Sequence, residues 1–310
     1  MCDAVTSSND IILHHFDPSP FSEKIRVIFG FKQIAWKSCQ ISRIMPRPDL
    51  MPLTGGYRRT PVMQIGADIF CDAQIIIREL ERRFPNPTLF PGGNAGLPWA
   101  LGMWTDRPWF QSTVALVFGS LADKVPQDFI DDRSKLRGAK FDVAAMTAAI
   151  PQMRDQFRAN MDWIDAQLAD GRKFLLGEFS LADVSAYMNP WYARQSLPEI
   201  DNILKHLPQV SAWEQRIRAF GHGTRSEIST AEALEIGTQS APTAQVSADP
   251  SDPNGRKPGN IVSVHSDDNW PTDIRGEIVS LSAQHIAIRR RDDRAGDVVV
   301  HFPRAGFTIS

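Results

Sequence analysis

The stretch Ser19-Pro20-Phe21-Ser22-Glu23-Lys24-Ile25-Arg26, read together with Arg59-Thr60-Pro61-Val62 further along, decides the fold. An apolar run, Ile11 to Phe16, reads as a strand that feeds directly into it. From about Ser22 onward, Ile25, Ile28 and Phe29 recur at i, i+3, i+4 and share one face of an amphipathic helix. A hydroxyl therefore sits where a strand becomes a helix. Trp36 to Ile41 is a second strand, parallel to the first if the helix is its crossover. Thr60-Pro61 then opens a strand–turn–strand unit, Pro61 to Ile65 and Asp68 to Phe70, around Gly66-Ala67. Ile75, Ile76, Leu80 and Phe84 line a second helix, which Pro85 closes. The order βαβ, then ββα, predicts a small mixed sheet with helices on its faces.

Working outward, the texture changes twice. Residues 95–236 read as helical: Met161, Ile164, Asp165 and Leu168 lie on adjoining turns, and Pro208 to Phe220 forms another helix. Within this region Phe179-Ser180-Leu181-Ala182-Asp183 is a sharp start signal, a capping box with Asp in place of Glu and Phe179 as the staple before it. Residues 237–260 carry four prolines among Ser, Ala, Asp and Gly and read as a linker. After it the period becomes two. Ile261 to Val264, Ile274 to Leu281, His285 to Arg290, Val298 to Phe302 and Phe307 to Ile309 are strand-like, which suggests a small SH3-like or OB-like barrel. The expected class is α+β and multi-domain: a βαβ-ββα domain at 10–91, an all-α bundle at 95–236, a linker at 237–260 and a β-barrel at 261–310.

Composition narrows the function. With 310 residues, 42% hydrophobic and 23% charged, the chain is long enough for more than one packed domain. A net charge of -2 gives no electrostatic case for nucleic acid or an anionic membrane. Three cysteines without CxxC spacing argue against a disulfide framework or zinc ribbon and fit a reducing compartment. The start has no signal-peptide pattern and no apolar run approaches ~18 residues, so a cytoplasmic location is expected. His14 and His15 would face opposite ways on a strand, with no further ligand at metal spacing, and no metal is expected. Gly92-Gly93-Asn94-Ala95-Gly96 lacks the preceding strand of a dinucleotide fingerprint. Arg289-Arg290-Arg291 is offset at once by Asp292-Asp293.

Residues 10 to about 220 resemble a soluble glutathione transferase. The resemblance rests on SPFSEKIRVIFGFKQIAW with its Lys24-Ile25-Arg26, on Pro61 in the place of that family's cis-proline, and on GEFSLADVSAY in its helical domain, in order and at family spacing. It implies a thioredoxin-like domain that binds glutathione as co-substrate, and a helical domain that holds an apolar, electrophilic small molecule. It implies Ser19 as the catalytic residue, in the position of the Ser of tau and zeta members and the Cys of omega members. Phe21, Arg59, Thr60, Pro61, Asp72 and Ala73 would bind glutathione. Trp104, Arg107 and Trp109, with Trp99 and Met103, would wall the second-substrate pocket, and Trp191 and Tyr192 would contribute from a later helix. Ser22, second in the motif, is a first-turn residue. The family often forms homodimers. Its usual acidic-Ser pair reads Asp72-Ala73 here, so the hydroxyl expected on the ligand's carboxylate is missing. Cys71 beside it reads as a small buried strand residue.

The chemistry at Ser19 is plain. A free thiol has a pKa near ~8.5, so its thiolate is a minority at neutral pH. A donating hydroxyl and the positive end of a helix both favour the thiolate. A serine cannot form a mixed disulfide, which points to thiolate activation for attack on an electrophile. The competing expectation is a non-catalytic scaffold with an altered glutathione site, since fold does not fix function. The C-terminal barrel, outside the resemblance, would mediate self-association, dock a protein partner or cover the cleft.

Overall fold

The computed structural model describes residues 9–197, 200–268 and 273–310. Its spine is one sheet of ten strands in the order β10-β6-β7-β8-β9-β4-β3-β1-β2-β5. The N-terminal portion follows the predicted order: β1 (Ile12–His15), α1 (Pro20–Phe31), β2 (Ala35–Gln40), a short α2 (Leu50–Thr54), β3 (Val62–Ile65), β4 (Asp68–Cys71) and α3 (Ala73–Arg83). β1 lies at its centre, parallel to β2 and antiparallel to β3. α1 begins where it does because Ser19 caps it and Pro20, which needs no N–H there, fills the first position.

The helical region comprises α4 (Gly96–Trp104), α5 (Phe110–Leu121), α6 (Gln127–Arg137), α7 (Val143–Ala148), α8 (Ile150–Leu168), α9 (Leu181–Arg194), α10 (Ile200–Leu204) and α11 (Pro208–Arg218). α9 starts on the predicted capping box. A wide π-type turn, Thr105–Trp109, joins α4 to α5. Pro108 lies inside it, and a proline that offers no N–H breaks the regular ladder there.

Two additions close both edges of the N-terminal sheet. β5 (Thr224–Ile228) pairs in parallel with β2, Ala35 opposite Thr224, and α12 (Thr230–Gln239) follows it. The sequence reading missed β5 because Thr224 to Glu227 are exposed and polar and show no alternation. At the other edge the expected small β unit is present as β6 (Ile261–Ser266), β7 (Ile274–Ser282), β8 (His285–Asp292), β9 (Gly296–Pro303) and β10 (Phe307–Ile309). Its order, β10-β6-β7-β8-β9, suits an SH3-like unit, but the unit is not freestanding. β9 pairs in parallel with β4, Asp68 opposite Val299 and Phe70 opposite His301. An exposed strand edge invites wrong pairing, and here the chain covers its own.

The segment read as a linker is fastened down. Gly237 falls inside α12. The backbone N–H and hydroxyl of Thr243 both donate to Asp68 Oδ2 at 2.7 Å. His301 Nε2 lies 3.1 Å from the other oxygen of Asp68, and His285 lies 3.0 Å from His301. Further on, Ser247 exchanges backbone hydrogen bonds with Val279 and Leu281.

Two cores result. One lies between the sheet, α1, α3 and the helical region, with Leu13, Ile28, Phe29, Met63, Ile76 and Trp213 buried in it. The other covers the opposite face, joining Tyr57, Val62 and Ile69 to Ile278, Ile288, Val300 and Phe302 of the C-terminal strands.

Candidate functional site

Strand register brings the motif residues to one end of the sheet. His14 of β1 pairs with Val62 of β3, and Val62 pairs with Cys71 of β4. The loop after β1 that carries Ser19, the Thr60-Pro61 turn before β3 and Asp72 after β4 therefore lie side by side. The Thr60–Pro61 peptide is cis.

Ser19 is buried and caps α1. Its Oγ accepts from the backbone N–H of Ser22 at 3.2 Å. That bond uses a lone pair and leaves the hydroxyl hydrogen to donate elsewhere. Ser22 is fully buried, and its own Oγ has no hydrogen-bond partner among the described residues. The ring of Phe21 packs edge-on against Phe110 of the helical region, with centroids 4.8 Å apart.

Asp72 caps α3, accepting from the N–H of Gln74 at 2.8 Å. Its backbone has φ 97°, a region that a residue with a Cβ adopts only when its surroundings enforce it. Burial pushes its carboxyl up to about 6, and nearby Asp106 adds to this, against the Gln74 bond and the charges of Lys24 and Arg59. At neutral pH most of it is still ionised and available to an ammonium group. Ala73, beside it, is buried. Thr60 is held by Arg47, whose Nη1 donates to its hydroxyl at 3.3 Å and also to the carbonyl of Arg58. Burial lowers the Arg47 guanidinium to about 10.

The opposite wall comes from the wide turn between α4 and α5. Asp106 accepts from Lys24 Nζ at 2.5 Å, a bridge from the helical region to the buried lysine of α1. Arg107 is exposed and pairs with Asp267 of the C-terminal unit. Trp99, Gly102 and Met103 pack close behind Ala73 and Gln74, leaving a cavity of only about 10 Å³. Trp104 is half-buried, its ring 5.1 Å from Trp109 and 5.7 Å from Trp163. Trp109 is core: it is 1% exposed and packs against Phe157. The aromatic spacing that suggested a wall describes a helix interior at that position. Trp191 lies under Arg26, and the Tyr192 hydroxyl is raised by burial to about 12.

Arg59 donates to both oxygens of Asp268 at 2.7 Å. Sequence reasoning missed Arg47 and Asp106, and it gave Asp267 and Asp268 no role. Only the Pro108 break in an otherwise helical run hinted at the turn that carries Asp106. Cys71 is buried, and burial with Asp72 nearby drives its thiol well above the ordinary value, so it stays protonated. His14 and His15 bond to Gln64 and Ser38 respectively. No group of three or more His, Cys, Asp or Glu among the described residues is placed to hold a metal ion. No helix among them is long and apolar enough to cross a membrane. A larger cleft of about 860 Å³ lies elsewhere, between residues 247–256, the β7–β8 turn and β10. Its two arginines, Arg256 and Arg304, already face Asp252.

Comparison with known proteins agrees with this geometry. The family model described as glutathione S-transferase, N-terminal domain, matches residues 13–88, and the one described as glutathione S-transferase, C-terminal domain, matches residues 147–216. No curated protein matches. Among solved structures, a GST-like protein from Pseudomonas syringae is 36% identical, with a TM-score of 0.82, over 97% of this chain and 99% of its own. A glutathione S-transferase from Rhodospirillum rubrum F11 is 21% identical over 67% of this chain and 88% of its own, with a TM-score of 0.52. A Tau class glutathione S-transferase from mango, Mangifera indica L., is 15% identical over 69% and 90%, with the same TM-score of 0.52. The latter two share the fold of the two transferase regions, whereas the Pseudomonas protein also spans the C-terminal strands. By both domain matches and by the likeness of its whole length to the Pseudomonas protein, this chain belongs to the glutathione S-transferase family.

Proposed function

We propose that the chain is a glutathione-dependent transferase in which Ser19 holds the thiolate of glutathione for attack on an electrophile seated against the helical region. The observation that carries this is the state of the Ser19 hydroxyl: capped into α1 through Ser22, with its hydrogen left to donate at a helix N-terminus. A sulfur there receives a hydrogen bond and the field of the helix, and both lower its pKa. Thr60 and Pro61 would present backbone to the cysteinyl part, as an added strand does. Asp72 would take the γ-glutamyl ammonium. Ala73 offers no hydroxyl to the neighbouring carboxylate, leaving the backbone at the start of α3 for that role. The bond formed is carbon to sulfur, the leaving group departs from the electrophile, and the thiol proton goes to solvent.

Ser19→Ala tests this directly. The pKa of bound glutathione, followed by thiolate absorbance against pH, is expected to rise by one unit or more, and kcat/KM with an aryl halide to fall at least tenfold at pH 7. Unchanged values of both would remove Ser19 from the chemistry. A second reading, a transferase fold serving as a scaffold, is favoured by Ala73 and by the pairing of Arg59 with Asp268. It predicts no calorimetric binding of glutathione at millimolar concentration.

A further inference from the structure

We infer that Asp268, two residues beyond β6, is a specificity residue of the thiol site and competes with the terminal carboxylate of a thiol peptide for Arg59. The inference rests on the glutathione-site reading above and adds to it which thiols the site accepts.

Three residues of the site are contacted by the C-terminal unit. Arg59, which leads into the cis-proline turn, donates to both carboxylate oxygens of Asp268 at 2.7 Å. Arg107, on the wide turn of the helical wall, donates to both oxygens of Asp267 at 3.1 and 3.2 Å. Gln74, in the first turn of α3, donates to the carbonyl of Ala305 at 3.2 Å. Two consecutive aspartates thus reach both the loop before the cis-proline and the wide turn of the helical region.

The pair is held in that pose from behind. Ser266 Oγ donates to Asp268 at 2.5 Å, and the backbone N–H of Asp267 donates to the carbonyl of Gly306 at 3.0 Å. Gly306 has φ 86°, a backbone conformation that favours glycine in the β9–β10 turn beside Arg107.

Both bonds come from one guanidinium nitrogen, Nη2, and a peptide's C-terminal carboxylate would offer that nitrogen the same pair of acceptor oxygens. A second carboxylate at the same place meets both an occupied partner and a like charge. The Arg59–Asp268 pair is partly exposed, so exchange needs no unfolding. The site therefore disfavours thiol peptides with a free C-terminal carboxylate relative to those in which it is blocked as an ester or amide. Asp268 belongs to the C-terminal unit and Arg59 to the N-terminal region, so the third unit sets ligand choice in the first.

The test is calorimetric titration with glutathione and with its glycyl monoethyl ester, against the full-length wild type, Asp268→Asn, and Arg59→Gln in the Asp268→Asn background. Thermal melts of each protein verify folding. Asp268→Asn is expected to tighten glutathione about tenfold while changing the ester less than twofold, and Arg59→Gln to abolish that gain. Equal changes for both ligands, or no change for either, would overturn the proposal while leaving the thiol site standing. Binding of neither ligand to any of the three proteins would overturn both. Should Asp268→Asn fail to fold, wild type binding glutathione at least as tightly as the ester would overturn the competition, and weaker binding of glutathione would support it.

Discussion

Two carboxylates near helix starts, Asp72 in the thioredoxin-like region and Asp183 in the helical region, meet the same electrostatic penalty and use it differently. Burial raises each to about 6. Asp183 collects four donors: the N–H of Leu175 at 2.8 Å, the N–H and hydroxyl of Ser180 at 3.0 and 2.9 Å, and Trp213 Nε1 at 2.9 Å. Its bonding capacity is filled by the protein, and it fastens α9 to α11 and to the loop before it. Asp72 receives one donor among the described residues, the N–H of Gln74, and sits on strained backbone. Asp72 therefore keeps acceptor capacity that the described residues do not fill. A shifted pKa alone does not separate the two cases; the count of donors does.

The largest effect should come from the satisfied member. Asp183→Ala strands the Leu175 and Ser180 N–H groups and the Trp213 indole in a dry interior, at a cost on the order of 3–5 kcal/mol in urea unfolding. A loss below about 1 kcal/mol would break the comparison at its structural end.

Asp72→Asn tests the other end. The folded carboxyl holds its proton more tightly than the unfolded one, whose value is near 3.8. Its contribution to stability is therefore full below the unfolded value and is lost as pH rises towards about 6. Asparagine carries no such loss. The variant's stability relative to wild type should grow on the order of 1–2 kcal/mol between pH 4 and pH 6.5, then stay flat. Stability that tracks wild type across that range would show that Asp72 is not penalised. Glutathione affinity should fall in the same variant.

The smallest effect sharpens the contrast within one box. Ser180→Ala removes a cap and one of the four donors to Asp183, and is expected to lower stability by about 1 kcal/mol without altering the pH profile of glutathione binding.

The N-terminal architecture was legible because local rules and tertiary need agree there. Ser19 caps the helix that its spacing predicts, and the period-two runs around Gly66-Ala67 pair as a hairpin. The Ser180–Asp183 box was legible for the same reason. β5 was not, because Thr224–Ile228 gains its structure from the open edge of β2 rather than from any apolar pattern of its own. Nor could sequence show that Arg59 meets Asp268, two exposed charges joined only by the way the sheet continues. Trp109 was misjudged because a helical aromatic stripe looks the same whether it faces a cleft or a core.

The parallel join of β9 to β4 also bears on how the molecule comes into being. It ties Asp68 to Val299, a contact between distant parts of the chain, and such contacts close late because the intervening loop must be ordered before pairing rewards it. As the chain is synthesised, the transferase regions are complete while the backbone of Ile69 still lacks its neighbour. During that interval the nascent edge is open to other growing chains, and its proper cover leaves the ribosome only after both transferase regions.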